Sequence, residues 1–172
     1  MSRIEIPSID TLSVEQKAQY ERFPANLTLA LLRTTSLTSG YLTLGGAFPR
    51  GAILDKDREM VILRVGALSS SRYEKMQHVP LALKAGWTES EIEDIEHGRM
   101  SDPRSQIILR FVDECVRDIK VTSQTFQAIR GYFTETQVAE LTLLVGHYMM
   151  TARFLETLEV PLDEAATSWD NM

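Results

Sequence analysis

Apolar residues recur at helical spacing along nearly the whole chain, and this periodicity limits the fold more than any other feature. A helix buries one face by placing apolar residues three or four positions apart, as in the stripe Ile108, Phe111 and Cys115. The alternation typical of a strand is confined to residues 4–6 and ends at Pro7. We therefore expect an all-α fold.

Capping residues predict where the helices begin and end. A side-chain oxygen at a helix start accepts an orphan backbone N–H, a role suited to Asp55, Ser71 and Thr88. Gly86 and Gly98 are typical of the residues that follow a helix end. The expected helices span about 13–23, one or two segments within 27–48, 56–68, 72–85, 89–97, 103–119, 122–133 and 135–160.

Length and composition indicate one globular domain. A chain of 172 residues with 44% hydrophobic residues can bury a core without disulfides or structural metal. No linker, repeat or low-complexity tract divides it. We interpret residues 163–172 as a loose polar tail.

Charge and cysteine content exclude several functions. Eighteen basic against 24 acidic residues give a net charge of −6, which argues against binding to nucleic acid or to an anionic membrane. One cysteine, Cys115, permits no internal disulfide and no Cys-x-x-Cys motif. With no apolar signal region at the N-terminus and no apolar run long enough to span a membrane, we expect a cytoplasmic protein.

Two titratable residues stand out as candidates for catalysis. Glu59 lies in a segment that is apolar on nearly all sides, where a lone carboxylate is costly. His78 shares a helix stripe with Glu74 and Ser71, four and seven positions earlier. If the two helices pack antiparallel around residues 69–71, Glu59 comes within about 6 Å of the level of His78. A carboxylate that orients an imidazole is typical of general acid–base catalysis.

Structural roles for the same residues remain open alternatives. Ser71 and Glu74 could only cap a helix, and Arg58 or Arg64 could only neutralise Glu59. His78 could be a satisfied core histidine.

Two further alternatives concern histidines and metal. His147 lies beside the apolar stripe of the last helix, where it could face either a pocket or solvent. A metal site built from Glu59, Glu74 and His78 is conceivable, but its ligand spacing is weak evidence and we expect no metal.

Several motifs together resemble the carboxymuconolactone decarboxylase family, which includes the alkyl hydroperoxidase D proteins. These motifs are residues 58–65, 71–78 and 85–88, with Gly146-x-Tyr148 and Arg153 in the last helix. The resemblance extends from about Leu42 to Pro161. It implies one domain with its core at about 42–161, a helical N-terminal extension and a polar C-terminal tail. It also implies an alkyl hydroperoxidase D-like helical bundle that forms a homo-oligomer, either a trimer, a dimer or a hexamer, of which we expect the trimer or the hexamer.

The peroxidase branch of this family is similar in spacing but not in chemistry. Its motif is a glutamate, a first cysteine twelve residues later, a second cysteine three further on, and a histidine four after that. Glu59 and His78 match the glutamate and histidine, whereas Ser71 and Glu74 occupy the cysteine positions. Without either thiol, peroxide reduction of that kind is not expected.

The decarboxylase branch is the nearer resemblance and implies a lyase. Such enzymes release carbon dioxide from a carboxylated lactone without a cofactor. By this resemblance His78 moves the proton while Glu59 or Glu74 orients it, Arg58 or Arg64 pairs with a substrate carboxylate, and Tyr73 forms a hydrogen bond or only packs. We expect the catalytic residues to be His78, Glu59, Glu74, Ser71 and Tyr73, and the substrate-binding residues to be Arg58, Arg64 and His147. The expected function is a cofactor-free lyase or isomerase for a small carboxylated or oxygenated ring compound. The alternatives are peroxiredoxin-like activity and a non-catalytic, ligand-binding oligomer.

Overall fold

The computed structural model describes residues 2–167, and over that range the chain is helical without strands, which confirms the all-α prediction. No helix in this range is long and apolar enough to cross a membrane. The helices are α1 (Val14–Arg22), α2 (Asn26–Leu31), α3 (Leu37–Gly45), α4 (Asp55–Leu68), α5 (Arg72–Lys84), α6 (Glu89–His97), α7 (Pro103–Asp118), α8 (Ser123–Arg130) and α9 (Glu135–Leu158), with short 3₁₀ turns at Ile9–Thr11 and Phe48–Arg50.

Helix α4 is the centre of the bundle. It packs against α5, α6, α7 and α9, so nearly every one of its faces meets another helix. Met60, Val61 and Val65 are fully buried there. The all-round apolar sequence of this segment follows from its position, since a helix surrounded by helices has no side that faces water.

The N-terminal helices form a second layer over α5 and α9. A separate apolar cluster joins Phe23 and Leu31 of this layer to Tyr73 of α5 and Leu155 of α9. Because α3 also leads into the turn at Phe48–Arg50, this layer covers the part of α5 that carries His78. The extension therefore forms walls of the candidate site.

Most helix starts agree with the capping residues in the sequence, with two exceptions. Ser13, Thr88 and Thr134 form reciprocal capping boxes. Asp55, however, is the first residue of α4, and its N-cap Leu54 has no capping side chain. Ser71 accepts the Glu74 N–H at 3.4 Å, but the Glu74 carboxyl faces His78 rather than returning to the cap.

The segment after α9 is attached where the sequence suggested a loose tail. Asp163 accepts hydrogen bonds from the Asn26 backbone N–H at 2.7 Å, from Gln77 Nε2 at 2.8 Å and from the Tyr73 hydroxyl. The Thr167 backbone N–H donates to Gln77 Oε1 at 2.6 Å. The predicted loose tail is therefore wrong for residues 163–167, because their polar side chains have partners on α2 and α5. Residues 168–172 of the predicted tail lie outside the described part of the chain.

Candidate active site

The antiparallel packing of α4 and α5 brings Glu59 and His78 together. The chain reverses at residues 69–71, where Ser70 adopts a left-handed backbone conformation with φ 53°. His78 Nδ1 then lies 2.8 Å from Glu59 Oε2, and both side chains are buried. A carboxylate at this distance accepts the ring N–H and holds the imidazole in one orientation.

Arg58 completes the environment of Glu59. Its Nε donates to Glu59 Oε1 at 3.2 Å, and its Nη1 donates to Asp55 Oδ1 at 2.8 Å. Glu59 is thus held between a guanidinium and an imidazole, one on each carboxylate oxygen. This arrangement leaves His78 Nε2 as the nitrogen that can exchange a proton with another molecule.

Glu74 lies on the other side of the imidazole. Its Oε2 is 3.6 Å from His78 Nε2, which is too long for a direct hydrogen bond but close enough for strong electrostatic coupling. Burial raises the pKa of Glu74 to about 7, although His78 acts in the opposite direction. Burial by itself lowers the pKa of His78, but the Glu59 carboxylate outweighs it and the net direction is upward. Glu74 can therefore change protonation state near neutral pH, and His78 keeps its proton to a higher pH than an ordinary histidine.

Two cavities flank this pair, and we call them the outer and inner cavity. The outer cavity has a volume of about 130 Å³ and is lined by Gly45, Phe48, Pro49, Asp55, Arg58, Glu59, His78, Leu81, Lys84, Ala85 and Tyr148. The inner cavity has a volume of about 30 Å³ and is lined by Phe23, Leu27, Tyr41, Glu74, Gln77, His78, Leu81, His147, Tyr148, Thr151 and Thr167. His78, Leu81 and Tyr148 line both, so the imidazole forms part of the wall between them.

His147 faces the inner cavity rather than solvent. It is 5% exposed and packs against Tyr41, Phe48 and Tyr148, with ring centroids 4.8, 5.3 and 5.3 Å away. Burial lowers its pKa to about 4, so the ring is neutral at physiological pH. Of the two positions that the sequence left open, the structure has the pocket-facing one.

Arg64 does not take part in this site. Its Nε and Nη2 donate to the two carboxylate oxygens of Asp113 at 2.6 and 2.7 Å, and its Nη1 donates to the Glu96 carbonyl at 2.7 Å. It lines neither cavity. Arg58 and Arg64 are six residues apart, which places them on different sides of α4, so of the two predicted alternatives only Arg58 lines a cavity beside His78.

Ser71 and Tyr73 also lie outside both cavities. Ser71 is buried at the start of α5 as its N-cap. The Tyr73 hydroxyl accepts the Leu27 N–H at 3.1 Å and donates to Asp163, so it joins α5 to α2 and to the segment after α9. These positions do not support the catalytic roles expected for the two residues; they support structural ones.

Thiol and metal chemistry find little support among the described residues. Cys115 is buried on α7, where burial raises its pKa to about 11, and it lines neither cavity. Residues 2–167 contain no group of three His, Cys, Asp or Glu side chains placed to hold a metal ion.

Two cavity residues, Tyr41 and Gln77, were not predicted from the sequence. No local sequence pattern identifies either residue as part of a cavity. Tyr41, for example, belongs to an ordinary apolar stripe.

Comparison with known sequences matches part of the chain to a protein family. Residues 41–108 match the model of the carboxymuconolactone decarboxylase family, and this range contains Glu59, Glu74 and His78. This segment of the chain is similar to that family. The match confirms the resemblance inferred from residues 58–88, and the single cysteine fits the lack of a cysteine pair. Comparison with curated proteins gave no match.

Solved structures of the same fold have low sequence identity to this chain. An alkyl hydroperoxidase D-core, peroxidase-related protein from Ralstonia eutropha JMP134 is 16% identical, with TM-score 0.81 over 95% of this chain and 93% of that one. A peroxidase-related protein from Silicibacter sp. TM1040 is 15% identical, with TM-score 0.79 over 95% and 92%. The apo debrominase Bmp8 is 9% identical, with TM-score 0.73 over 95% and 91%. These likenesses show the fold of the chain.

Proposed function

We propose that this protein is a general acid–base enzyme, a lyase or isomerase, that acts on a small carboxylated or oxygenated ring compound. The observation that carries the proposal is the buried Glu59–His78 hydrogen bond of 2.8 Å at the wall of the outer cavity, with Glu74 beside the second ring nitrogen. An imidazole oriented by one carboxylate and coupled to another is suited to moving protons at neutral pH. We expect this chemistry to use the protein's own side chains without a cofactor.

A decarboxylation at this site would proceed through three groups. The bond between the ring carbon and its carboxylate breaks, carbon dioxide leaves, and the electron pair is delocalised onto a conjugated carbonyl of the substrate. Protonated His78 then transfers the Nε2 proton to that carbon, while Glu59 holds Nδ1. Glu74, whose pKa is about 7, returns a proton to Nε2 for the next turnover and is itself protonated again from solvent. An isomerase would use the same imidazole to take a proton from one carbon and deliver it to another.

Arg58 is the substrate-binding cation that the geometry favours. It lines the outer cavity beside His78, whereas Arg64 is occupied by Asp113. Arg58 Nε and Nη1 already donate to Glu59 and Asp55, so a substrate carboxylate would be bound through Nη2 and the second hydrogen of Nη1. The substrate class therefore includes a carboxylate or a comparable oxygen-rich group within reach of both Arg58 and His78.

Peroxide reduction is the weaker alternative. Two structural relatives are described as peroxidase-related, yet this chain has Ser71 and Glu74 at the positions of the two thiols. The buried thiol of Cys115 is on another helix, with a pKa that keeps it protonated. A third relative is a debrominase, so the fold alone does not select the reaction.

The test is turnover of a panel of carboxylated lactones, including carboxymuconolactone, by the wild-type protein and by His78→Ala. Loss of the general acid should reduce kcat by about 10²- to 10⁴-fold. His97→Ala is the matched control, because His97 is exposed at the end of α6 and bonds only to the Glu93 carbonyl. Circular dichroism checks that both variants fold.

Two results would contradict the proposal. Full activity in His78→Ala would remove the imidazole from the mechanism. No turnover on the whole panel, together with a ligand retained in native mass spectrometry, would favour the non-catalytic ligand-binding alternative.

A further inference from the structure

Two buried polar atoms at the inner cavity have no partner in the described part of the chain. These are Glu74 Oε1 and His147 Nδ1, in side chains that are 2% and 5% exposed. Buried polar atoms of this kind are nearly always hydrogen-bonded to protein or to an ordered water molecule. Both residues line the same cavity, from α5 and from α9.

The cavity has the size and the polarity of a hydration site. A buried water molecule needs roughly 10–15 Å³ and two to four polar partners. The inner cavity offers about 30 Å³, which admits a water molecule but not a substrate ring. A third residue with a polar group, Tyr41, lines the same space.

The hydrogen bonds around Tyr41 determine whether its hydroxyl oxygen can accept another hydrogen bond. Thr151 Oγ1 donates to the His147 carbonyl at 2.8 Å, so its hydroxyl proton is committed. Tyr41 therefore donates to Thr151 Oγ1, 2.5 Å away, and its own oxygen keeps a lone pair for another donor. The cavity thus presents acceptors at Glu74 and Tyr41, and a neutral imidazole nitrogen at His147.

We propose that the inner cavity binds one water molecule that bridges Glu74 Oε1 and His147 Nδ1, and that His147 is thereby a positioning residue for Glu74. The water donates one hydrogen bond to the Glu74 carboxylate. It forms its second hydrogen bond with Nδ1 of the His147 imidazole. It supplies the solvation that burial removes from Glu74, and it favours the ionised form of that carboxyl.

The charged groups around Glu74 belong to three helices. Their effect on the pKa of Glu74 has to be separated from the effect of the water. His78 of α5 favours the ionised carboxyl, whereas Glu59 of α4 and Glu156 of α9 disfavour it. Arg58 of α4, Tyr41 of α3 and Tyr148 of α9 complete the titratable groups nearby. Substitution of His147 alone leaves all of these in place.

The experiment is a carbon-13 NMR titration of glutamate side chains in the full-length protein, with Glu74→Gln to assign the resonance. His147→Leu removes the partner of the water and should raise the pKa of Glu74 by about one, a tenfold change in its acid dissociation constant. His147→Asn places an amide where Nδ1 was, and should restore a value close to that of the wild type. An unchanged pKa in His147→Leu, or equal shifts in both variants, would overturn the proposal.

A high-resolution crystal structure of the wild-type protein tests directly whether the water is present, and it does not depend on the folding of a variant. The expected result is water density within hydrogen-bond distance of both Glu74 Oε1 and His147 Nδ1. A direct contact between these two side chains, or a cavity without that water, would overturn the proposal. Neither measurement needs turnover, so the hydration site and the proposed function stand or fall separately.

The consequence for catalysis alone rests on the proposed function. In an active enzyme, His147→Leu should move to higher pH the limb of the kcat profile that reports Glu74, and His147→Asn should restore it. A purely structural role for His147 would lower kcat without moving that limb.

Discussion

At the scale of single residues, two carboxyl groups flank one imidazole in different surroundings. Glu59 accepts from both Arg58 and His78, so its two oxygens are held by cationic partners. Glu74 meets the same ring at 3.6 Å, and its other oxygen has no partner within residues 2–167. On this difference we base the proposal that Glu59 orients the ring and that Glu74 exchanges protons with it.

The raised pKa of Glu74 predicts how stability depends on pH. Between pH 4.5 and about 7 the folded protein keeps a proton that the unfolded chain has lost, so stability falls as pH rises through this range. Glu74→Gln removes that titration. From pH 4.5 to pH 8, the free energy of unfolding of Glu74→Gln should therefore rise by about 3 kcal/mol relative to that of the wild type. Each unit by which a pKa is shifted corresponds to about 1.4 kcal/mol. Urea denaturation at several pH values measures this difference.

A constant difference across that pH range would show that Glu74 titrates in the folded protein as it does in the unfolded chain. Glu21→Gln, at an exposed position on α1, is the control for the loss of a surface carboxyl group.

The sequence was sufficient for some site residues and not for others, for physical reasons. Glu59 and His78 lie on consecutive helices, so counting from the turn predicts their approach. The choice between Arg58 and Arg64 stayed open in the sequence, because charge alone does not show which face of α4 each residue occupies. Tyr41 reaches the site through the docking of α3 onto α9, more than a hundred residues away along the chain. No local pattern encodes a contact of that kind.

At the scale of elements, the distance between Glu59 and His78 depends on how closely α4 and α5 approach. Gly66 of α4 permits that approach, since a Cβ there would lie 3.0 Å from Glu74 Cβ. The helices themselves follow from local sequence, as their caps and apolar stripes show. Their close approach depends on one glycine whose partner is visible only in the fold.

Gly66→Ala should therefore destabilise the protein, in spite of the higher helix propensity of alanine. The added methyl group forces α4 and α5 apart, and we expect a loss of about 1–2 kcal/mol in urea denaturation, with lower activity because Glu74 moves from His78. Gly146→Ala is the matched control. Gly146 is also in a helix, but a Cβ there meets nothing within 4 Å, so stability should rise by about 0.5–1 kcal/mol. Equal effects of the two substitutions would contradict a role for close helix contact.

At the scale of the whole molecule, a single chain leaves several large apolar side chains of α3 and α9 exposed. Leu37 and Leu143 are 66% and 61% exposed, and Met150 and Leu44 are 47% and 41% exposed, on α3 and α9. Exposed apolar groups of this size are typical of surfaces buried between subunits. The homo-oligomer inferred from the family resemblance stays a prediction, as does the division of the chain into a core at 42–161 and two extensions.

Light scattering coupled to size-exclusion chromatography tests self-association directly. We expect a molar mass that is a multiple of the 19.5 kDa chain, with a trimer or hexamer favoured by the family resemblance. A mass of one chain at micromolar concentration would contradict the prediction.

The most direct test of the central claim is a double-mutant cycle on kcat/KM for Glu59→Gln and His78→Ala, with the best substrate of the lactone panel. Glu59 acts through the imidazole that it holds at 2.8 Å, so the two losses should not add. We predict that each single variant is impaired and that the double variant is no slower than His78→Ala. Losses that multiply, or a Glu59→Gln variant with wild-type activity, would contradict the account, because the two residues would then not work as one proton-transfer pair.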